Sequence, residues 1–138
     1  MQIIPYLSFQ GDCEAAFKFY ERCLGGKTGA IARYAGSPLA DQVPAGWADK
    51  VMHGSFTVGD QPLMGADVAP DGYEAPKGFS LTIEIKSTAD AERIFHQLSE
   101  GGSVVLPIEK TFWAERFGMV IDRFGIPWAI NCDGSDPH

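Results

Sequence analysis

Two similar stretches of sequence, LSFQGDCEAAFKF at residues 7–19 and IEIKSTADAERIF at residues 83–95, decide the fold. A shift of 76 residues aligns them, and it also superimposes the Gly-Gly pairs at residues 25–26 and 101–102. Each stretch begins with alternating apolar residues, passes a capping residue, and continues as an apolar stripe at helical spacing towards its Gly pair. The chain is therefore predicted to contain an internal repeat whose unit starts with a strand and a helix.

The two predicted helices have different candidate caps. Asp12 is expected to cap the first helix, because a short polar side chain there can accept hydrogen bonds from the free N–H groups of the first turn. Ser87 with Asp90 resembles a capping box at the start of the second helix. Glycine after each helix supplies the left-handed residue that ends it.

The later parts of the two halves also correspond. Each is predicted to contain a strand, a turn and a returning strand, at residues 51–58, 59–60 and 61–66 and again at 117–121, 122–125 and 126–131. A shift of 65 residues aligns Met64 with Ala129. This shift is smaller than 76 because the first half carries an insertion within residues 34–49, which is rich in Gly and Pro. Residues 27–34 and 103–109 are predicted as the remaining strands.

These units predict an α+β fold made of two βαβββ repeats. We expect a curved, eight-stranded half-barrel with the helices on the outside and a ligand-sized cavity between the sheets. The predicted organisation is a single domain over residues 1–138, with a first module at 1–67, a linker at 68–78 and a second module at 79–138.

Composition and charge exclude several classes of protein. The 138 residues carry a net charge of −7 and contain no run of Lys and Arg, which argues against nucleic-acid binding and against attachment to anionic membranes. No apolar stretch approaches the roughly 20 residues of a bilayer helix, and residues 1–9 lack the basic start of a signal peptide. Cys13, Cys23 and Cys132 have neither disulfide-framework nor zinc-site spacing, so reduced core thiols in a cytoplasmic protein are expected.

Several short motifs, taken in order, connect the chain with a known family. They include PYLSF at residues 5–9, MHG at 52–54, LMGAD at 63–67, FWAERFG at 112–118 and DRFG at 122–125. With its duplicated unit, the chain resembles the vicinal oxygen chelate (VOC) superfamily of glyoxalases, bleomycin-resistance proteins and dioxygenases. Within it, the chain most resembles the PhnB-like group, which also carries a demethylubiquinone methyltransferase-like description. The resemblance implies a glyoxalase-like fold and a homodimer.

The resemblance also implies where a divalent metal is held in the enzymes of that superfamily. The repeat places the four ligand positions at Ile4 (or Pro5), Ser80, Met64 and Ala129. These residues offer one weak hydroxyl in place of His and Glu, so no metal and no cofactor are expected. Methyl transfer is disfavoured too, because the sequence lacks a Gly-rich turn from strand to helix followed by an acidic residue.

Strand alternation selects the candidate ligand-binding residues. The side chains expected on the strand faces away from the helices are those of Tyr6, Ser8, His53, Ser55, Ser80, Thr82, Glu84 and Asn131. Trp113 and Arg116 are added because a planar or anionic ligand can pack on Trp and pair with Arg. Alternatively, Trp113 and Arg116 belong to a loop packed at a dimer interface.

Glu84 and His53 are the best candidates for catalysis. A carboxylate on the inner face of a strand either pairs with a cation, here Arg116 or Arg33, or has a raised pKa that suits acid–base chemistry. His53 either makes a structural hydrogen bond, orients a ligand, acts as a base or binds a metal. His96, on the polar face of the second helix, is expected in solvent.

Two kinds of function remain open. The first is a PhnB-like protein that binds a small organic ligand without a metal, with no nucleic-acid or membrane partner. The second is an enzyme acting on a small organic substrate, either by metal-independent acid–base chemistry or by a metal-dependent reaction of the glyoxalase or dioxygenase type. Whether the chain is an enzyme is left open at this point.

Overall fold

A computed structural model describes residues 1–136 and divides them into two compact units, Met1–Glu74 and a second that starts at Ala75. The first unit contains β1 (Tyr6–Phe9), α1 (Cys13–Leu24), β2 (Lys27–Arg33), β3 (Val51–Val58) and β4 (Gln61–Asp67), with a short 3₁₀ turn at Ala40–Gln42. The second contains β5 (Leu81–Ser87), α2 (Thr88–Ser99), β6 (Ser103–Glu109), β7 (Arg116–Ile121) and β8 (Pro127–Asp136). Within residues 1–136, no helix is long and apolar enough to cross a membrane.

Both units build the same open four-stranded sheet. The strand orders are β1-β4-β3-β2 and β5-β8-β7-β6, with a parallel pair at one edge and antiparallel pairs elsewhere. The α+β class and the repeated strand–helix–three-strand unit are thereby confirmed.

The register of the parallel pairs confirms both alignment shifts. Tyr6 pairs with Met64 in the first sheet, and Thr82 pairs with Ala129 in the second. These pairs are related by the shift of 76 on the edge strand and the shift of 65 on its neighbour. Equivalent positions of the two repeats therefore occupy equivalent places in their sheets.

Each helix packs on one face of its own sheet, and glycine on that face lets it approach closely. In the first unit, Phe17 of α1 lies between Phe9 and Phe56, with ring centroids 6.1 and 5.8 Å away. A Cβ on Gly65 would come within 3.2 Å of the Phe17 ring. In the second unit, a Cβ on Gly118 would lie 2.6 Å from the Phe95 ring. The helix α2 can therefore lie this close to its sheet only because residue 118 is a glycine.

The cap of α1 differs from the prediction. Asp12 makes no side-chain hydrogen bond to the helix, so its predicted role as a cap is wrong. The carboxylate of Asp67, at the end of β4, accepts hydrogen bonds from the backbone N–H groups of Gly11 (3.0 Å) and Cys13 (2.8 Å). Its other oxygen accepts from the N–H of Val51 (2.8 Å) at the start of β3. One buried carboxylate, 1% exposed, thus holds the helix start and a neighbouring strand.

The other local predictions largely agree with the structure. Ser87 caps α2 by accepting from the N–H of Asp90 (3.2 Å), and Gly25 ends α1 in the left-handed region. Cys13, Cys23 and Cys132 are free and buried, and burial raises the pKa of the Cys13 thiol. β8 continues to Asp136, beyond its predicted end at residue 131, and His138 lies outside the described residues.

We expect Asp67→Ala to lower the free energy of unfolding by at least about 3 kcal/mol, because it leaves three backbone N–H donors without their acceptor. Asp67→Asn should cost less, since its remaining oxygen can still serve Gly11 and Cys13. Urea denaturation followed by circular dichroism measures both. Asp71→Ala, at an exposed loop aspartate, is the control and should change stability by less than about 0.5 kcal/mol. Equal stability of Asp67→Ala and the wild type would contradict this account.

Candidate functional site

Each sheet has a candidate site on the face opposite its own helix, where side chains of neighbouring strands line up in rows. In the first sheet, Ser8 pairs with Ala66, and His53 pairs with Ala32. Gly54 pairs with Gly65, so the antiparallel register sets His53 beside Ala66. We call Ser8, Ala66, His53 and Ala32 the first polar row.

The phenol of Tyr6 reaches His53 across the small side chain of Ala66. The Tyr6 hydroxyl lies 3.0 Å from His53 Nδ1, and the ring centroids are 5.6 Å apart. Burial raises the pKa of the Tyr6 phenol, so the hydroxyl keeps its proton at neutral pH. The pair can donate and accept hydrogen bonds, and the tautomer of His53 decides which of the two groups donates to the other.

The second sheet has an equivalent row with different chemistry. Glu84 pairs with Asn131, Asn131 with Phe117, and Phe117 with Glu109, so each strand contributes one residue. Asn131 Nδ2 donates to Glu84 Oε2 at 3.1 Å. Asn131 Oδ1 is buried and has no hydrogen-bond partner among residues 1–136. We call these four residues the second polar row.

Trp113 stands beside the second polar row in a well-defined loop. Its ring packs edge-on against Phe117, with centroids 5.2 Å apart, and against the exposed Phe112 at 4.8 Å. Thr111 closes the loop, since its N–H donates to the carbonyl of Ala114 and its hydroxyl accepts from the N–H of Ala114. Trp113 is 54% exposed, so one side of the ring is available to a ligand or another chain.

The structure corrects the expected partner of Glu84. Arg116 lies on the helix-bearing face of the second sheet, where its Nε donates to Glu92 of α2 at 2.9 Å. Arg33 pairs with Glu14 at 3.0 Å. Neither arginine pairs with Glu84, whose side chain is exposed and hydrogen-bonded to Asn131. Of the two alternatives considered for Glu84, the ion pair with Arg116 or Arg33 is therefore wrong.

The remaining predicted site residues lie on or next to the same faces. Ser8 and Ser55 are half-buried on the first sheet, and Thr82 is exposed on the second. Ser80 precedes β5 and is half-buried. His96 is well exposed, 3.4 Å from Glu92, as expected.

The residues at the positions where the resemblance implies metal ligands do not fit a divalent ion. Met64 and Ala129 lie opposite Tyr6 and Thr82 in equivalent places of the two sheets. Thioether and methyl groups do not provide the oxygen, nitrogen or thiolate ligands that such an ion requires. Across residues 1–136, no group of three or more His, Cys, Asp or Glu side chains is arranged to hold a metal.

Sequence reasoning missed a surface depression of about 550 Å³ at the start of α1. Its lining includes Asp12, Glu14, Lys18, Asp49 and Lys50. Lys50 donates to the carbonyl of Gly11 at 2.8 Å, and Glu14 is paired with Arg33. These lining residues come from two separate stretches of sequence, residues 12–18 and 49–50, which no motif joins, so only the folded chain shows the depression.

Comparison with known proteins places the chain in a family. Residues 1–131 match the family model of 3-demethylubiquinone-9 3-methyltransferase. Protein YjdN of Escherichia coli K12 is 30% identical over 145 residues, covering 99% of each chain. The crystal structure of protein PA1353 from Pseudomonas aeruginosa is 46% identical, covers 96% of this chain and 98% of its own, and has a TM-score of 0.86.

Two further solved structures share the fold at lower identity. The PhnB protein from Bacillus cereus is 24% identical over 96% of this chain and 99% of its own, with a TM-score of 0.81. A glyoxylase/bleomycin resistance protein/dioxygenase domain from Frankia is 12% identical over 96% of each chain, with a TM-score of 0.67. Both confirm the glyoxalase-like fold expected from the motifs.

The two tyrosine hydroxyls of the first unit should differ in their contribution to stability. Tyr34 is buried and donates to the carbonyl of Asp67 at 2.7 Å, whereas Tyr6 is 52% exposed. We expect Tyr34→Phe to lower the free energy of unfolding by about 1–2 kcal/mol and Tyr6→Phe by about 0.5 kcal/mol or less. Urea denaturation of the two matched variants makes the comparison. If Tyr6→Phe lost more free energy of unfolding than Tyr34→Phe, the expectation would be contradicted and the Tyr6 hydroxyl would have a structural role.

Proposed function

Because this chain belongs to the PhnB-like family that the 3-demethylubiquinone-9 3-methyltransferase model describes, we propose that it binds a small organic ligand on the sheet faces left uncovered by the helices. The observation that carries the proposal is the Tyr6–His53 pair, which holds a protonated phenol and an imidazole together on an otherwise weakly polar face. Few, well-placed polar groups among apolar ones are typical of small-molecule sites.

The chemistry of the two polar rows supports binding of an organic molecule. The first row offers a hydroxyl and an imidazole, which can both donate and accept, and the second offers carboxylates, an amide and an aromatic ring. Met64, Phe117 and Met119 add apolar surface to the same faces. An organic ligand can satisfy both kinds of surface, whereas an inorganic ion can satisfy only the polar part.

We propose binding without a metal and without methyl transfer. The first proposal follows from the ligand-poor side chains at Ile4, Ser80, Met64 and Ala129. The second follows from the sequence, which lacks a Gly-rich turn between strand and helix for a nucleotide-like cofactor.

Nuclear magnetic resonance of the labelled protein with neutral heteroaromatic fragments of about 10 to 15 non-hydrogen atoms tests this function. We expect shifts of amides in the two polar rows and an affinity about fivefold weaker in Tyr6→Phe, because one hydrogen bond is lost. Tyr73→Phe, a matched change outside the strands, should leave affinity unchanged. Shifts confined to the depression at α1, or no binding at millimolar concentration, would overturn the proposal.

We also propose that the chain forms a homodimer. Support comes from β6, an edge strand of the second sheet on which Val104, Val105 and Leu106 are all exposed. Exposed apolar edge strands are prone to pair with another chain.

Light scattering should give a mass twice the 15.0 kDa of one chain. We expect Val105→Lys to shift the mass towards the monomer, because it places a charge on the proposed contact. Leu39→Lys, at another exposed apolar residue, should leave the dimer intact. A monomeric wild type, or a Val105→Lys variant with the wild-type mass, would contradict the proposal.

A further inference from the structure

Two edge strands of the chain are open over their whole length. β2 is an outer strand of the first sheet and β6 an outer strand of the second, and each pairs with a single strand among residues 1–136. Five of the seven residues of β2 and six of the seven residues of β6 are exposed, and none is buried. The other two edge strands, β1 and β5, both contain buried residues. β2 and β6 are therefore the edges at which a strand of another chain can pair.

β6 exposes apolar side chains on both faces of its edge. Three consecutive residues are apolar and well exposed: Val104 (50%), Val105 (55%) and Leu106 (39%). Val104 pairs with Val120, which lies on the helix-bearing face of the sheet. Leu106 pairs with Met119, which lies on the opposite face. A strand added to this edge would remove apolar surface from water on both faces, and such burial is favourable.

β2 exposes small side chains at its edge. Gly29, Ala30 and Ala32 are exposed, and a Cβ on Gly29 would lie 2.5 Å from Ser55 Oγ on the neighbouring strand. A larger residue at position 29 would require Ser55 to shift, so this part of the edge has space for side chains of an added strand. Large and small side chains on facing strands interdigitate. The β2 edge therefore matches β6 in size better than it matches a second β2.

The two edges also carry opposite charges. Lys27 begins β2 and Glu109 ends β6; both are exposed, and neither forms a salt bridge within residues 1–136. β2 contains no acidic residue and β6 contains no basic one. Antiparallel pairing over the full length of both strands places Lys27 beside Glu109 and Ala30 beside Leu106. Pro107 lacks an N–H group, so it removes at most one hydrogen bond from this pairing.

We propose that the homodimer forms by antiparallel pairing of β2 of one copy with β6 of its partner. This inference rests on the proposed homodimer and names its interface. Self-pairing of β6 would leave Glu109 facing a strand without a cation, and self-pairing of β2 would bring together mostly small side chains. Pairing of the unlike edges joins opposite charges and covers the apolar surface of β6. With a two-fold axis each copy makes the contact twice, and the assembly closes at two chains.

Cross-linking between two single-cysteine variants tests which edges meet. Ala30→Cys and Leu106→Cys each place one exposed thiol on an edge, whereas the three native cysteines are buried. After subunit exchange in an equimolar mixture, a short bismaleimide should give roughly tenfold more covalent dimer than with either variant alone, because only unlike edges lie together. The wild type treated in the same way is the control and should give no covalent dimer.

Reversal of the two charges tests the same contact without new thiols. Lys27→Glu or Glu109→Lys alone should raise the dissociation constant of the dimer about fivefold, because like charges then face each other. The double variant restores an unlike pair and should return the constant to within about twofold of the wild-type value. Lys77→Glu makes the same change at an exposed loop residue and should have no effect. Analytical ultracentrifugation measures the constants, and circular dichroism checks that each variant is folded.

The possible failures are distinguishable. If either cysteine variant alone cross-links as well as the mixture, an edge pairs with its own copy and the inference is overturned. It is also overturned if the mixture does not cross-link, or if the double charge variant dimerises no better than the single ones. A dimeric mass in light scattering would then leave the proposed homodimer standing on another surface. A monomeric wild type contradicts both the homodimer and this interface.

Discussion

The parallel pairing of an edge strand with the last strand of its own repeat determines the arrangement of both candidate rows. Tyr6 is opposite Met64 and Thr82 is opposite Ala129, so the two sheets share one register. A slip by one residue would turn every side chain of a strand to the other face. It would place the apolar Leu7 and Ile83 where Tyr6 and Thr82 now lie, and the polar rows would no longer exist.

The two repeats keep this register but hold their helices in different ways. In the first, the carboxylate of Asp67 at the end of β4 holds the start of α1. The equivalent position in the second repeat is Cys132, which offers no carboxylate, and α2 is capped locally by Ser87. The same backbone arrangement is thus stabilised by a contact between distant residues in the first repeat and by a contact between neighbouring residues in the second.

This difference explains which features could be predicted from the sequence. Strand and helix periods, the Gly stops and the Ser87 cap depend on residues close in sequence, and all of them agree with the structure. Asp12 stands where a local cap is expected, but Asp67, more than fifty residues away, takes that role. Such a contact becomes apparent only when the parallel pairing of β1 with β4 is known.

The partner of Glu84 could not be predicted for a related reason. A strand predicted to begin at residue 117 leaves the direction of the Arg116 side chain open, so Arg116 is a plausible partner on sequence grounds. The strand begins at Arg116, and alternation then sets Arg116 with Gly118 and Val120 on the helix-bearing face. The pairing of Glu84 with Asn131 follows from the β5–β8 register, which motifs alone do not reveal.

The rows also show where the polar side chains of the uncovered faces lie relative to the positions at which the resemblance implies metal ligands. Met64 and Ala129, where the family resemblance implies metal ligands in the enzymes of the superfamily, lie in the rows of Tyr6 and Thr82. His53, Glu84 and Asn131 lie one row further along, two residues away on each strand, where their side chains point to the same face. The polar side chains therefore remain on the uncovered face, but they lie one row away from the positions where the resemblance implies metal ligands. This arrangement leaves a hydrogen-bonded phenol–imidazole pair on the first sheet and a row with two carboxylates, an amide and an aromatic ring on the second, so the two repeats present different chemistry on equivalent faces.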